Sequence, residues 1–264
     1  MESDEVSGVE KYIILTGTAG AGKSAMTGAL KDEIEDQGYS AITVNLDPAV
    51  RVLPYEPNVD SRDLVRYDDL LREGLGPNGA LIAAVDTLAL RVDELHSMIN
   101  EYQADFVIVD TPGQMEILVY RIGGPYLLKN LVGDSPSVNL YLIDALFFRD
   151  PLSISSALSL ASSVFLRLLM PQINVVTKAD MLGADIRENI IPRLGEDGFL
   201  EGLIDDMEDA LEQAKYLARR TIEALREAGF IGEVYQTSIL QRESILQLFG
   251  AAQALLSGGE ARKL

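Results

Sequence analysis

Eight consecutive residues, Gly17-Thr18-Ala19-Gly20-Ala21-Gly22-Lys23-Ser24, spell a complete G-x-x-x-x-G-K-S string. An apolar run, Tyr12-Ile13-Ile14-Leu15, precedes it and reads as a buried strand. Ala25 to Asp36 follows and reads as a helix. A phosphate-binding loop needs that strand–loop–helix setting. The glycines let the backbone wrap around a phosphate with its N–H groups inward, and the helix start adds a positive dipole end. The expected nucleotide contacts are therefore Gly17, Thr18, Ala19, Gly20, Ala21, Gly22, Lys23, Ser24 and Ala25. Lys23 is placed to reach the β- and γ-phosphates and Ser24 to hold Mg²⁺.

Such a loop implies an α/β protein, and the remaining apolar runs agree. They recur at residues 11–16, 41–46, 105–109, 138–144, 172–177 and 232–237, with helical patterns between nearly all of them. This alternation predicts a mostly parallel sheet flanked by helices, with ligand loops on the edge where the strands end. Leu81, Val85, Leu88, Val92, Leu95 and Ile99 form one stripe at three-to-four spacing, which predicts a single long amphipathic helix after Gly79. The chain reads as one domain over residues 1–264, with a helical insertion over 181–230 and a flexible tail over 257–264. The sole histidine, His96, falls on the polar side of the stripe and reads as a solvated surface residue.

Charge and composition narrow the partners. With 41 acidic and 22 basic residues the net charge is −19, a field that repels nucleic acid and anionic membranes. A macromolecular partner is accordingly expected to be a protein. There is no cysteine, which excludes disulfides and thiolate zinc sites and is compatible with a reducing, cytoplasmic setting. The acidic start Met1-Glu2-Ser3-Asp4-Glu5 does not read as a signal peptide. The stretch 152–170 carries one charge, Arg167, but six serines, and reads as a crossover helix on a sheet rather than a membrane span.

Two further strings follow apolar strands. Asp110-Thr111-Pro112-Gly113-Gln114 places an Asp where it can join the Mg²⁺ shell and a Gly whose N–H can face a γ-phosphate. Thr177-Lys178-Ala179-Asp180 offers a carboxylate for the N1–H and exocyclic amine of guanine, a donor pair adenine lacks. The Lys178 stem can lie along the base. Together with Gly76-Pro77-Asn78 ahead of the long helix, Asn45-Leu46-Asp47-Pro48-Ala49, Leu53-Pro54-Tyr55-Glu56-Pro57 and the downstream Met115-Glu116, these strings resemble the GPN-loop GTPase family over roughly residues 12–249.

The resemblance implies Mg²⁺-dependent hydrolysis of GTP by a homodimer. It implies that Gly76, Pro77 and Asn78 of one subunit reach the nucleotide site of the other. Asp47 would stand near Mg²⁺ with Ser24 and Asp110, and Gln114 and Glu116 would hold the attacking water beside Asn78 and Asp110. A nucleotide-gated role in assembling protein complexes is implied as well, since eukaryotic relatives are associated with assembly of RNA polymerase. Two departures stand out. Thr177 replaces the commoner Asn, which predicts a weaker loop-to-loop tether. The last guanine loop, Thr237-Ser238-Ile239-Leu240, lacks the expected lysine, leaving Ser238 as its candidate contact. Arg51 reads either as a charge stabiliser or as half of a surface ion pair. A small-molecule P-loop kinase, a ParA-like ATPase and a slow nucleotide-dependent scaffold are the competing readings. The first is disfavoured by Asp-Thr-Pro-Gly-Gln, the second by the absence of an early signature lysine at Thr18 or Ala19.

Overall fold

The computed structural model describes residues 10–258. The acidic start at residues 1–5 lies outside them, and so does the predicted flexible tail from residue 259 onward. In chain order the main elements are β1 (Lys11–Gly17), α1 (Lys23–Asp36), β2 (Ala41–Asn45), β3 (Val59–Asp60), α2 (Ser61–Leu64), α3 (Tyr67–Arg72), α4 (Pro77–Leu90), α5 (Val92–Asn100) and β4 (Phe106–Asp110). There follow α6 (Met115–Tyr120), α7 (Gly123–Val132), β5 (Ser137–Asp144), α8 (Pro151–Leu168), β6 (Gln172–Thr177), α9 (Phe199–Asp205), α10 (Glu212–Glu227), β7 (Val234–Gln236) and α11 (Arg242–Ser257).

The seven strands form one sheet in the order β3-β2-β4-β1-β5-β6-β7, with every pairing parallel. A parallel strand buried on both faces is nearly continuous in apolar residues, and β1 and β4 follow that rule: all of 12–17 and 106–110 are buried, and apart from Thr16 and Gly17 of β1 the polar exception is Asp110 at the ligand end of β4. Helices cover both faces. One core joins Ile13, Leu15 and Ile108 to Met26, Leu30 and Ile34 of α1 and Leu248 and Phe249 of α11. The opposite core joins Ile14, Val44 and Val107 to α4, α5 and α7. Central β1 runs between β4 and β5, so its C-terminal end opens where the chain order reverses, the usual crevice for a ligand in a sheet of this kind.

Three expectations change. The stripe from Leu81 to Ile99 faces the core as expected, but it spans two helices: Arg91 leaves helical geometry at φ −111°, ψ 23°. Its guanidinium is drawn to the Leu64 carbonyl and to Glu94, and this tertiary contact overrides the helical pattern. His96 is half-buried rather than solvated, with Nε2 2.9 Å from the Asn130 carbonyl on α7. A short strand, β3, adds itself to the sheet edge beyond the six apolar runs. Ser257 ends α11, with Leu256 buried before it.

Helix α8 is long and apolar enough to cross a membrane, with mean hydropathy 1.3. Its apolar face, Ile154, Ala157, Leu158, Ala161 and Val164, packs with Tyr141 and Ile143 of the sheet and Ile222 of α10. Ser155, Ser159 and Ser162 satisfy their hydroxyls on carbonyls of their own helix. Between β6 and β7 the chain runs through α9 and α10 without a strand.

Candidate nucleotide site

The loop after β1 closes on itself. Gly22 sits at φ 91°, in the left-handed region that strains any residue with a Cβ, and from there the chain enters α1. No side chain caps the start of α1, so its first N–H groups face outward for an anion. Lys23 lies back across the loop. Its Nζ donates to the Gly17 carbonyl at 3.0 Å and the Thr18 carbonyl at 3.2 Å. Burial holds the Lys23 amine below its ordinary pKa, against the pull of Asp110 and Asp47.

Asp110 ends β4, alongside Leu15 of β1, and is 1% exposed. Burial raises its carboxyl above the usual range, while the Ser24 and Tyr55 hydroxyls and the Lys23 ammonium work the other way. Oδ2 accepts the Tyr55 hydroxyl at 3.0 Å, and Oδ1 is buried without a hydrogen-bond partner. The following Thr111 hydroxyl donates to the Leu15 carbonyl at 2.6 Å and ties this loop to β1. Gly113 lies against Ala19, its Cα so placed that an added Cβ would fall 3.7 Å from the Ala19 Cβ. Gln114 and Glu116 are exposed, at the cap and in the first turn of α6.

Asp47 occupies a loop braced from beneath. Its N–H donates to Asn45 Oδ1 at 3.0 Å, and its own Oδ1 accepts the Ala49 N–H at 3.0 Å. Buried Asn45 in turn donates to Asp60, which takes a forked ion pair from Arg62. That pairing holds the Asp60 carboxyl below its usual range, against burial, which would raise it. Among the described residues no cluster of three or more His, Cys, Asp or Glu could hold a metal. A cation here would take its remaining ligands from phosphate and water. Ser24, Asp47 and the unpartnered oxygen of Asp110 fit one such hydrated cation.

The loop after β6 docks directly on the phosphate loop. Thr177 Oγ1 is 2.8 Å from the Ala21 carbonyl and 3.3 Å from the Ile143 carbonyl. Thr177 therefore does make the tether, through the one proton its hydroxyl has to donate. Lys178 adopts a left-handed backbone, φ 56°, that a non-glycine residue holds only when its surroundings fix it. Here they do: Nζ donates to the Gly20 carbonyl at 2.7 Å and to Asp144 Oδ2 at 2.6 Å. Beside these lies a cleft of about 230 Å³, lined by Gly22, Ala25, Met26, Thr177, Lys178, Asp180, Met181, Thr237, Ile239 and Leu240. Its walls are apolar, with the Asp180 carboxylate exposed at the rim, which suits a planar ring held face-on and read at its edge.

Other residues singled out in the sequence lie elsewhere. Ser238 is buried and its hydroxyl accepts the Leu240 N–H, so it shapes the loop rather than lining the cleft. Gly76 caps α4, Pro77 is its first residue and Asn78 is exposed; among the described residues none of them hydrogen-bonds to the phosphate loop. Arg51 is exposed and makes no ion pair among the described residues. Asp144 and Met26 carried no sequence signal, and Tyr55, Asn45, Ile239 and Leu240 stood in quoted strings without a role, because the groups they meet are remote in the chain.

Parallel sheet, loop and docked base-side strings together define a P-loop nucleotide-binding protein of the α/β class. A family described as "Conserved hypothetical ATP binding protein" matches residues 15–258. GPN-loop GTPase PAB0955 of Pyrococcus abyssi is 36% identical over 178 residues, 67% of this chain and 70% of that protein. GPN-loop GTPase 3 of Saccharomyces cerevisiae is 35% identical, over 69% of this chain and 68% of its own. GPN-loop GTPase 1 of Dictyostelium discoideum is 28% identical, and the match spans only 49% of its length. The apo crystal structure of the Pyrococcus GTPase superposes with a TM-score of 0.82 at 28% identity, over 94% of this chain and 98% of that one. The chain belongs to the GPN-loop GTPase family. The family description says ATP and the relatives' names say GTP; the carboxylate at Asp180 favours guanine on chemical grounds.

Proposed function

We propose that this chain binds GTP with Mg²⁺ and hydrolyses it to GDP and phosphate, and that it works as a homodimeric, nucleotide-gated switch. One observation carries the reading: the Thr177–Asp180 loop is bonded to the Ala21 and Gly20 carbonyls, so base and phosphate sites are held as one unit. Phosphates would lie on the α1 N-terminus and draw Lys23 off the Gly17 and Thr18 carbonyls. Ser24, Asp47 and Asp110 would hold the hydrated cation, whose part is to neutralise charge on the phosphate oxygens. Gln114 and Glu116, at the solvent-facing start of α6, are free to orient a water in line with the γ-phosphorus.

The α4 start, with Asn78 exposed and unengaged by its own phosphate loop, suits a contribution to the site of a second copy. Differential contacts to the γ-phosphate would then bias two arrangements of the dimer. A role in assembling protein complexes would follow from such a switch, and the net charge of −19 favours a protein partner over nucleic acid.

Phosphate release measured with GTP and with ATP, each with Mg²⁺ and with EDTA, tests the reading. Release from GTP alone, and only with Mg²⁺, is the expected result. Equal release from ATP, or release indifferent to EDTA, would contradict it.

A further inference from the structure

Tyr55 belongs to none of the strings that bind nucleotide in the account above, yet it touches the most deeply placed acid of the site. Its hydroxyl stands 3.0 Å from Asp110 Oδ2, across 55 residues of chain. A phenol beside a carboxylate donates its proton, so Oδ2 is occupied as an acceptor. The other oxygen, Oδ1, is buried and has no hydrogen-bond partner. Asp110 also has two charged neighbours competing for its orientation. Lys23 attracts it and Asp47 repels it. The Ser24 hydroxyl also acts on this carboxyl, but Ser24 is itself a candidate ligand of the cation, so the Tyr55 bond is the restraint that stays in place when the cation binds and keeps the carboxylate from turning toward the ammonium.

We propose that Tyr55 is a positioning residue for the cation: it pins Oδ2 so that Asp110 presents Oδ1 to the hydrated metal instead of collapsing onto Lys23. This rests on the reading of the site as one for a nucleotide with Mg²⁺. Groups that orient a metal-side carboxylate through a hydrogen bond typically change metal affinity by about 10- to 100-fold when removed. Tyr55 also lies on the segment between Asp47 and β3, so the same bond links the loop carrying Asp47 to the end of β4. Loss of the hydroxyl should therefore act on the metal and leave contacts to base and phosphate intact.

The test uses the full chain and Tyr55→Phe, which keeps the ring. Affinity for a fluorescent, non-hydrolysable GTP analogue is measured in EDTA, and Mn²⁺ affinity of the protein–analogue complex is then measured by electron paramagnetic resonance. The proposal predicts EDTA affinity within about twofold of wild type and Mn²⁺ affinity lower by on the order of tenfold. In an Asp110→Asn background, Tyr55→Phe should change Mn²⁺ affinity by less than about twofold, because the oriented group is gone. Unchanged Mn²⁺ affinity in Tyr55→Phe, or an equal loss in both backgrounds, overturns the proposal. So does a parallel loss of EDTA affinity, which marks a purely structural role. A wild-type chain that takes up no analogue at all overturns the parent reading and this inference with it.

Discussion

Lys23 and Asp180 mark the two ends of the candidate site, and each makes a separable prediction. The Lys23 ammonium bonds two carbonyls of its own loop and forms no ion pair within 4 Å among the described residues; buried Asp110 loses a cationic neighbour on its removal but keeps the Tyr55 hydroxyl. Lys23→Ala should keep the circular dichroism of the parent and lose tight triphosphate binding, measured by calorimetry. Near-parental GTP affinity in a folded variant would contradict the phosphate-loop assignment. At the other end, Asp180→Asn replaces an acceptor pair by a donor and an acceptor. GTP binding should weaken by about 2 kcal/mol, roughly 30-fold, while xanthosine triphosphate, which accepts where guanine donates, should gain. No exchange of preference would remove Asp180 from base recognition. The residues of these strings were legible because the chemistry is written contiguously, from Gly17 to Ser24 and from Thr177 to Asp180. Tyr55 and Asp144 were not, since the acid that Tyr55 meets and the lysine that Asp144 meets lie 55 and 34 residues away.

At the level of elements, α6 deserves a prediction of both its start and its end. Gln114 and Glu116 open it, exposed and with no side-chain hydrogen bond among the described residues. Gln114→Ala and Glu116→Ala should each lower kcat with GTP affinity held within a few-fold, the pattern of contacts made mainly in the transition state. Turnover equal to wild type in both would assign the water to other groups. Beyond its far end, Gly124 packs so closely on α6 that an added Cβ would stand 1.8 Å from the Leu118 carbonyl oxygen. Backbone cannot yield as a side-chain tip can, so Gly124→Ala should cost about 3 kcal/mol or more of stability. Thermal unfolding would show it, and an unshifted midpoint would mean that α7 can slide away from α6. Sequence reading recovered the strands because buried parallel strands are nearly continuous apolar runs. It merged α4 with α5 because periodicity is blind to the pull of the Leu64 carbonyl on Arg91, and it passed over β3 because two residues carry no period.

For the molecule as a whole, the all-parallel sheet was readable from the alternation of strand and helix, and its strand order brings the ends of β1, β4 and β6 to one edge. What alternation cannot convey is the pairing of surfaces between copies. Gly76-Pro77-Asn78 shows why: in a single chain it is a helix start, with Pro77 at the first position and Asn78 in solvent. Its proposed work appears only when a second chain supplies the phosphate loop. A chain mutated at Lys23 would be empty yet able to lend its Asn78, and a chain mutated at Asn78 would bind GTP yet await that loop. The most direct measurement is therefore GTP hydrolysis by a mixture of Lys23→Ala and Asn78→Ala chains, with heterodimer formation confirmed by light scattering and differential tagging. Each variant alone should be nearly inactive, and the mixture should recover a measurable part of wild-type turnover, because the heterodimer holds one complete composite site. Proven heterodimers with no recovered activity would contradict a site shared between subunits.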